Sequence, residues 1–229
     1  MLDQYGNDYI CERLPFWGRL SDGEKDLILT NAKTVSYQAG ENIHSPANEC
    51  VGVLLVKSGE LRVYIVSEEG KEITLYRLNQ EEVCILSASC LLSNITFDVF
   101  IDAEQDTEVL LINSVIFAEL QSDNLYVENF ALRSAVDRFS DVMWAMEQIL
   151  FMSFDRRLAV FLLDEIAKTG ADNIALTHEQ IARYMGSARE VVSRMLKYFA
   201  GEGIVELYRG GVLIIDKQRL RKLIHPSTA

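Results

Sequence analysis

The chain lacks the features that mark several classes of protein. It has three prolines and 13 glycines in 229 residues, too few for a long flexible linker or a fibrous repeat. Its four cysteines are irregularly spaced, which does not suit a secreted disulfide framework. The apolar run at residues 51–56 is far shorter than the ~18 residues of a membrane span, and the N-terminus does not resemble a signal peptide. The composition predicts a globular cytoplasmic protein with no membrane partner.

Positively charged residues are also few, and they are unevenly distributed along the chain. The net charge is -12, and residues 1–122 alone contribute -12, with 8 basic and 20 acidic side chains. Residues 123–152 contribute -3, whereas residues 153–229 contribute +3, with 12 basic and 9 acidic side chains. This asymmetry indicates that the C-terminal third meets a polyanion and the rest does not.

Residues 30–115 have the pattern of short strands. The segments 51–57, 60–66, 72–78 and 108–112 are rich in Val, Ile, Leu or Tyr, and Gly-containing turn signals at 39–41, 58–60 and 68–71 separate them. Many short strands with tight turns predict a sandwich or barrel. Helical patterns precede the strands at 10–33 and follow them at 114–121.

A long helix of about 25 residues is predicted within residues 123–152, because apolar residues recur there every seven positions without an intervening Gly or Pro. Such a stripe favours pairing with a second copy of the chain. The alternative is a helix buried within a monomer. The predicted interface consists of Leu132, Ala135, Phe139, Val142, Met146 and Ile149.

The last third predicts a winged helix-turn-helix. Helical segments at 154–168, 177–184 and 187–201 precede two short strands at 204–208 and 212–216, and Gly210 and Gly211 suit a tight hairpin between them. Thr177 with Gln180 and Ser187 with Glu190 each have the spacing of a capping box, and both boxes are predicted to start helices.

The outward face of the second of these helices carries polar and charged side chains near its N-terminus. In a helix-turn-helix such residues meet base edges in the major groove, where Arg suits guanine and Glu accepts from cytosine. The alternative is a solvated charged face. The predicted DNA-binding residues are Arg189, Glu190, Ser193, Arg194 and Lys197, with Thr177 and His178 on the preceding helix and Arg209 at the wing tip.

Three stretches carry a resemblance to a known family. Residues 56–64 and 69–73 resemble the strand turns of a cyclic-nucleotide-binding-type jelly roll, residues 155–163 resemble a helix that opens a DNA-binding domain, and residues 176–196 resemble its helix-turn-helix. Over nearly its whole length the chain is similar to the Crp/Fnr family of bacterial transcription regulators.

The resemblance implies an α+β fold in three parts: a jelly-roll β-barrel sensor domain at 1–122, a long dimerisation helix at 123–152 and a winged helix-turn-helix domain at 153–229. It also implies a homodimer on a twofold-related site in double-stranded DNA, with RNA polymerase as a further partner. Arg189, Glu190, Ser193 and Arg194 match the family's base-reading pattern, which implies a half-site with a TGA-like core.

The sensor region departs from the cyclic-AMP-binding pattern of the family. The positions of the phosphate-binding Arg-Ser pair fall on Phe97 and Asp98, and no Lys or Arg occurs from residue 81 to residue 108. Glu82 is retained, but a buried phosphate would lack a charge partner. The effector is therefore predicted to differ from cyclic AMP and to bind in a small apolar pocket near Glu82, Cys84, Cys90, Phe97 and Asp98.

The identity of any cofactor stays open at this stage. The cysteines, including Cys84 and Cys90, are either structural, redox-active or metal-binding, and four thiolates could hold an Fe–S cluster. Haem would need an axial ligand, and His44, expected at the surface, is the only histidine of the predicted barrel. Further alternatives are a constitutive DNA-binding regulator and a cupin-like enzyme; the missing cluster of histidines argues against the enzyme.

Overall fold

The computed structural model describes residues 4–46, 51–85 and 99–224. The helices are α1 (Gln4–Arg13), α2 (Asp22–Asn31), α3 (Ser114–Asp123), α4 (Leu125–Phe151), α5 (Phe154–Thr169), α6 (His178–Met185), α7 (Arg189–Gly201) and α8 (Lys217–Ile224), with a short 3-10 helix at Trp17–Arg19. The strands are β1 (Lys33–Tyr37), β2 (Asn42–His44), β3 (Val53–Ser58), β4 (Leu61–Val66), β5 (Glu72–Leu78), β6 (Val83–Cys84), β7 (Phe100–Ala103), β8 (Thr107–Ile112), β9 (Asn173–Ile174), β10 (Val205–Tyr208) and β11 (Gly211–Ile214).

The chain divides into two compact units. The first comprises Met1–Val66 and Leu75–Met143, and the second comprises Ser67–Thr74 and Trp144–Ala229. The turn between β4 and β5 therefore belongs to the second unit, together with α5–α8.

Two four-stranded sheets, ordered β1-β8-β3-β6 and β2-β7-β4-β5, form the β part of the first unit. The neighbours β3 and β8 are antiparallel, as are β4 and β7. Side chains from both sheets share one apolar core, which includes Leu54, Val63, Ile101 and Val109. This arrangement is jelly-roll-like and confirms the predicted fold class.

The N-terminal helical region is two helices rather than the single stretch predicted from residue 10 to residue 33. Helix α1 ends at Arg13, just before Pro15, which disfavours helical backbone at the residue before it. Helix α2 starts afresh, because the Ser21 side chain accepts from the Glu24 backbone N–H while the Glu24 carboxylate accepts from the Ser21 N–H.

Helix α4 has 27 residues, close to the predicted length. Only Val127 and Ala131 of this helix are buried, both in a core shared with α1–α3. Ala135 is half-buried, and Val142 packs against the core between the two sheets. After Ala131, the exposed large apolar side chains of α4 are Leu132, Val136, Phe139, Met143, Trp144, Met146, Ile149, Leu150 and Phe151.

The second unit has its own core. Helices α5–α8 enclose it together with a three-stranded sheet ordered β10-β11-β9. The predicted three helices and hairpin are present, and the structure adds β9 and α8, which the sequence patterns had not indicated. The fully buried side chains of this core include Leu158, Leu162, Ile181, Val192, Leu196, Phe199, Val212 and Leu220.

Candidate nucleic-acid interface

Helix α6 starts with the predicted capping box. The Thr177 hydroxyl accepts from the Gln180 backbone N–H at 3.2 Å, and the Gln180 side-chain oxygen accepts from the Thr177 N–H at 2.9 Å. At the other end, Gly186 adopts a left-handed conformation with φ 58° and closes the helix. The box fixes where α6 begins and so places His178 in its first turn.

The second predicted capping box, Ser187 with Glu190, is wrong. Helix α7 is preceded by Ala188 at its N-cap, with no side-chain hydrogen bond to the cap. The cause is the preceding turn: Ser187 donates its backbone N–H to the Ala182 carbonyl at 2.9 Å and so still belongs to the closure of α6. Glu190 is therefore not tied to a cap, and it is exposed.

Helix α7 has two faces of opposite character. Val192, Leu196 and Phe199 are fully buried in the core of the second unit. The opposite face exposes Arg189, Glu190, Arg194 and Lys197, and Ser193 is half-buried at its margin. The helix thus presents the predicted polar set outward from a fixed apolar base.

A cleft of about 500 Å³ lies between the N-terminal ends of α6 and α7 and the hairpin β10–β11. Arg209 is exposed at the hairpin turn, beside Gly210 with φ 90°. Two lining residues, Glu179 and Tyr208, had not been predicted from the sequence, because neither matches a known motif. The cleft is lined by Thr177, His178, Glu179, Arg189, Tyr208, Gly210 and Gly211.

The lining side chains of this cleft are held in defined ways. The Tyr208 hydroxyl donates to the Asn173 side-chain oxygen at 2.5 Å, which connects the wing to β9. The Arg189 Nε lies 3.9 Å from an Oε of Glu179, and both side chains are largely exposed. Exposed pairs of this kind contribute little stability. Another anion can therefore replace Glu179 as the partner of Arg189 at little cost.

His178 lies at the rim of the cleft in an environment that disfavours its protonated form. Partial burial lowers the pKa of His178, and the nearby cations Arg189 and Lys197 lower it further. The neutral form of the imidazole is therefore favoured while Arg189 and Lys197 lie close to it.

In the first unit, Glu82 is held just before β6. Its carboxylate accepts from the Asn79 backbone N–H at 2.8 Å and lies 3.7 Å from the guanidinium of Arg138 on α4. Arg138 also pairs with Asp141 at 2.9 Å and lies over the ring of Tyr76, 5.0 Å from its centroid. Arg138 was not predicted, because 56 residues separate it from Glu82.

Of the other predicted sensor residues, only Cys84 lies in the part of the chain that the structure describes. Cys84 is fully buried in β6, whereas Cys90, Phe97 and Asp98 lie outside the described residues. His44 is buried, with 5% of its surface exposed, and not at the surface as predicted, because β2 pairs with β7 and turns this side chain inward. Within residues 4–46, 51–85 and 99–224, no three His, Cys, Asp or Glu side chains cluster as a metal site.

Comparisons with known proteins agree with this architecture. Residues 34–124 match the model of the cyclic nucleotide-binding domain, and residues 156–223 match the model of the Crp-like helix-turn-helix domain. A solved structure from Eubacterium rectale, assigned to the Crp/Fnr family, is 46% identical, with a TM-score of 0.89, and the match covers 93% of this chain and 99% of that one.

Two curated proteins are similar at lower identity. The cyclic AMP receptor protein of Thermus thermophilus is 27% identical over 91% of this chain and 96% of its own length. The transcriptional activator protein FnrA of Stutzerimonas stutzeri is 27% identical over 77% of this chain and 74% of its own length.

The chain belongs to the Crp/Fnr family. It is a DNA-binding transcription regulator of the Crp/Fnr type and not an enzyme, which excludes the cupin-like alternative. In the part of the chain that the structure describes, no helix is both long and apolar enough to cross a bilayer.

The lowered pKa of His178 generates a prediction about pH. A phosphate at the cleft would favour the charged imidazole, so DNA binding should take up a proton. We expect DNA affinity to rise as the pH falls from 7.5 to 6, measured by fluorescence anisotropy at constant ionic strength. His178→Gln should lose most of this rise, whereas an equal rise in the variant would show that His178 does not contact the phosphate.

Proposed function

We propose that the chain acts in the cytoplasm as a homodimeric regulator with three functional parts. Residues 1–122 sense an effector other than cyclic AMP, residues 123–152 form the dimer, and residues 153–229 bind a twofold-related DNA site. The single observation that carries the proposal is the two-faced helix α7, whose buried side fixes an outward row of polar and charged side chains suited to reading bases.

The positions and chemistry of the surface residues suggest which of them read bases and which contact phosphate. Arg189, Glu190, Ser193 and Arg194 lie within the first two turns of α7, the part of a recognition helix that reaches base edges. Lys197 follows on the same exposed side. Thr177, His178 and Arg209 lie at the ends of α6 and the wing, where they suit phosphate contacts that position the protein without reading sequence.

The proposed dimer rests on the exposed face of α4. Leu132, Val136, Phe139, Met143, Met146 and Leu150 follow one another at alternating spacings of four and three residues, and each is 45% exposed or more. A contiguous apolar stripe of this length marks an interaction surface. A second copy of the same helix offers the matching heptad repeat across a twofold axis.

The predicted interface overlaps this stripe without coinciding with it. Leu132, Phe139 and Met146 lie on it, and Ile149 is exposed beside it. Ala135 and Val142 are half-buried in their own chain. These positions therefore support a seam displaced toward Val136 and Met143.

The proposal that the effector is not cyclic AMP rests on charge. The guanidinium that reaches Glu82 is that of Arg138, and two carboxylates, Glu82 and Asp141, already surround it. A cyclic phosphate would have to displace one of them and would lose its own hydration. The full burial of Cys84 favours a structural thiol over a redox-active one. RNA polymerase remains a proposed partner on family grounds.

The recognition surface predicts distinct effects for two arginines. Arg194→Ala should weaken binding to the specific site by about 1–3 kcal/mol, because a bidentate contact to guanine is lost. Arg209→Ala should weaken specific and unrelated duplexes alike, because it contacts phosphate. Competition titrations with both duplexes measure the difference. If Arg194→Ala retains full preference for the specific site, α7 is not the recognition helix.

The exposed stripe predicts that Phe139→Asp breaks the dimer, because it places a charge beside its symmetry mate in an apolar seam. Sedimentation should show a monomer of about half the wild-type mass. Ser140→Asp is the matched control, since it adds the same charge to the adjacent, exposed position and should leave the dimer intact. A dimeric Phe139→Asp variant would place the interface elsewhere.

The sensor region predicts no measurable binding of cyclic AMP in isothermal titration at physiological concentrations, because the guanidinium of Arg138 is already paired. A micromolar dissociation constant would contradict this account. In that case the Arg138→Gln variant tests whether the nucleotide captures Arg138 from its carboxylates.

A further inference from the structure

Two opposite charges lie close together in the cleft between α6, α7 and the hairpin. Glu179 is in the first turn of α6, and Arg189 is the first residue of α7. The Arg189 Nε lies 3.9 Å from an Oε of Glu179, which is an ion pair and not a hydrogen bond. Among the described residues that line the cleft, they are the one carboxylate and the one arginine. Each therefore has the other as its partner of opposite charge in this cleft.

The side of the guanidinium that Glu179 approaches matters for base recognition. Arginine presents five N–H donors in a fixed fork, one on Nε and four on the two terminal nitrogens. The two terminal nitrogens can make a bidentate contact to O6 and N7 of guanine, and the approach of Glu179 at Nε leaves them free. Arg189 can thus pair with Glu179 and contact a guanine at the same time.

Arg189 needs such a partner because its side chain is otherwise loosely held. It is 66% exposed, and the side chain of Glu179 is 71% exposed. A flexible arginine loses rotamer freedom when it is immobilised on a base. A carboxylate that already restricts the guanidinium in the free protein reduces this loss on binding. Since exposed ion pairs change an equilibrium by at most about fivefold, we expect an effect of that size.

On DNA that lacks the guanine, the same pair has the opposite effect. Glu179 cancels the charge of Arg189, and His178 adds none at neutral pH, because partial burial and the nearby cations Arg189 and Lys197 lower its pKa. The cleft then has no net charge with which to attract phosphate. A phosphate offers Arg189 only a second anion, whereas a guanine offers two hydrogen bonds that discriminate bases by about 5- to 150-fold.

We propose that Glu179 is a specificity-determining residue that positions Arg189 for a guanine of the half-site. Glu179 holds the Nε side of Arg189 while the terminal nitrogens contact the base, and it keeps the guanidinium from the phosphates of unrelated DNA. Glu179 therefore strengthens specific binding and weakens nonspecific binding. This inference rests on the proposed DNA-binding function of α6, α7 and the wing.

The first test compares the base preferences of the wild type, Glu179→Gln and Arg189→Ala. Each full-length protein selects duplexes from a random pool, and the bound duplexes are sequenced. We expect Arg189→Ala to lose a guanine preference at one position of each half-site, and Glu179→Gln to weaken it about two- to fivefold at that position alone. An unchanged motif in Glu179→Gln, or a change at another position, would overturn the positioning role. A wild-type chain that enriches no motif would instead overturn the proposed function.

The second test measures affinity by fluorescence anisotropy on the duplex that the wild type selects and on a shuffled duplex of the same composition. Glu179→Gln should bind the selected duplex about two- to fivefold more weakly and the shuffled duplex about two- to fivefold more tightly. Glu202→Gln is the matched control, because it removes a carboxylate that pairs with Arg219 at the other end of α7. It should shift neither affinity by more than about 1.5-fold. Shifts of the same sign on both duplexes for Glu179→Gln, or no shift, would overturn the inference.

A double-mutant cycle tests whether Glu179 acts through Arg189. In the Arg189→Ala background, Glu179→Gln should no longer weaken binding to the selected duplex, because no guanidinium remains to be positioned. If Glu179→Gln weakens binding equally in both backgrounds, Glu179 supports DNA binding by another route and the inference is wrong.

Discussion

The anchoring of α7 in the core of the second unit is the constraint on which the functional account depends. Val192, Leu196 and Phe199 follow one another at helical spacing and are all fully buried. Loss of any one of them would cost several kcal/mol through lost burial and a residual cavity. With that side fixed, Arg189, Arg194 and Lys197 face solvent, and the packing thereby positions the proposed DNA-binding surface.

Helix α4 is also anchored by buried apolar side chains, but only over its first turns. Its first turns are anchored by Val127 and Ala131, but further along the apolar residues outnumber the positions that its own chain can cover. Nothing in the local packing requires Phe139 or Met146 to be apolar. In the proposed dimer, a second copy of the helix would cover these side chains. Burial of apolar surface, which holds α7 in place, would then also drive dimerisation.

Strongly periodic segments were predictable from the sequence and irregular ones were not. The length of α4 and the cap of α6 follow from local patterns, the heptad and the Thr177–Gln180 box. The Ser187–Glu190 box failed because a longer-range bond from Ser187 to Ala182 competes for the same turn. The two-residue strand β9, the burial of His44 and the Arg138–Glu82 pair depend on contacts between distant residues, which no local pattern records.

The distribution of charge along the chain bears on how strongly it binds DNA. An acidic N-terminal part with a net charge of -12 accompanies a DNA-binding part with a net charge of only +3. DNA affinity in such a chain must depend on where its carboxylates are held, because nonspecific attraction is weak. We therefore expect small rearrangements that move Glu179 relative to Arg189 to alter DNA binding.

The central claim, that two copies of α7 read a twofold-related site, is tested most directly by selection of bound duplexes from a random pool followed by sequencing. The account predicts an inverted repeat with TGA-containing half-sites, whose centres lie about 10–10.5 base pairs, or a multiple of that, apart. Enrichment of a single unrepeated motif, or of no motif at all, would contradict it.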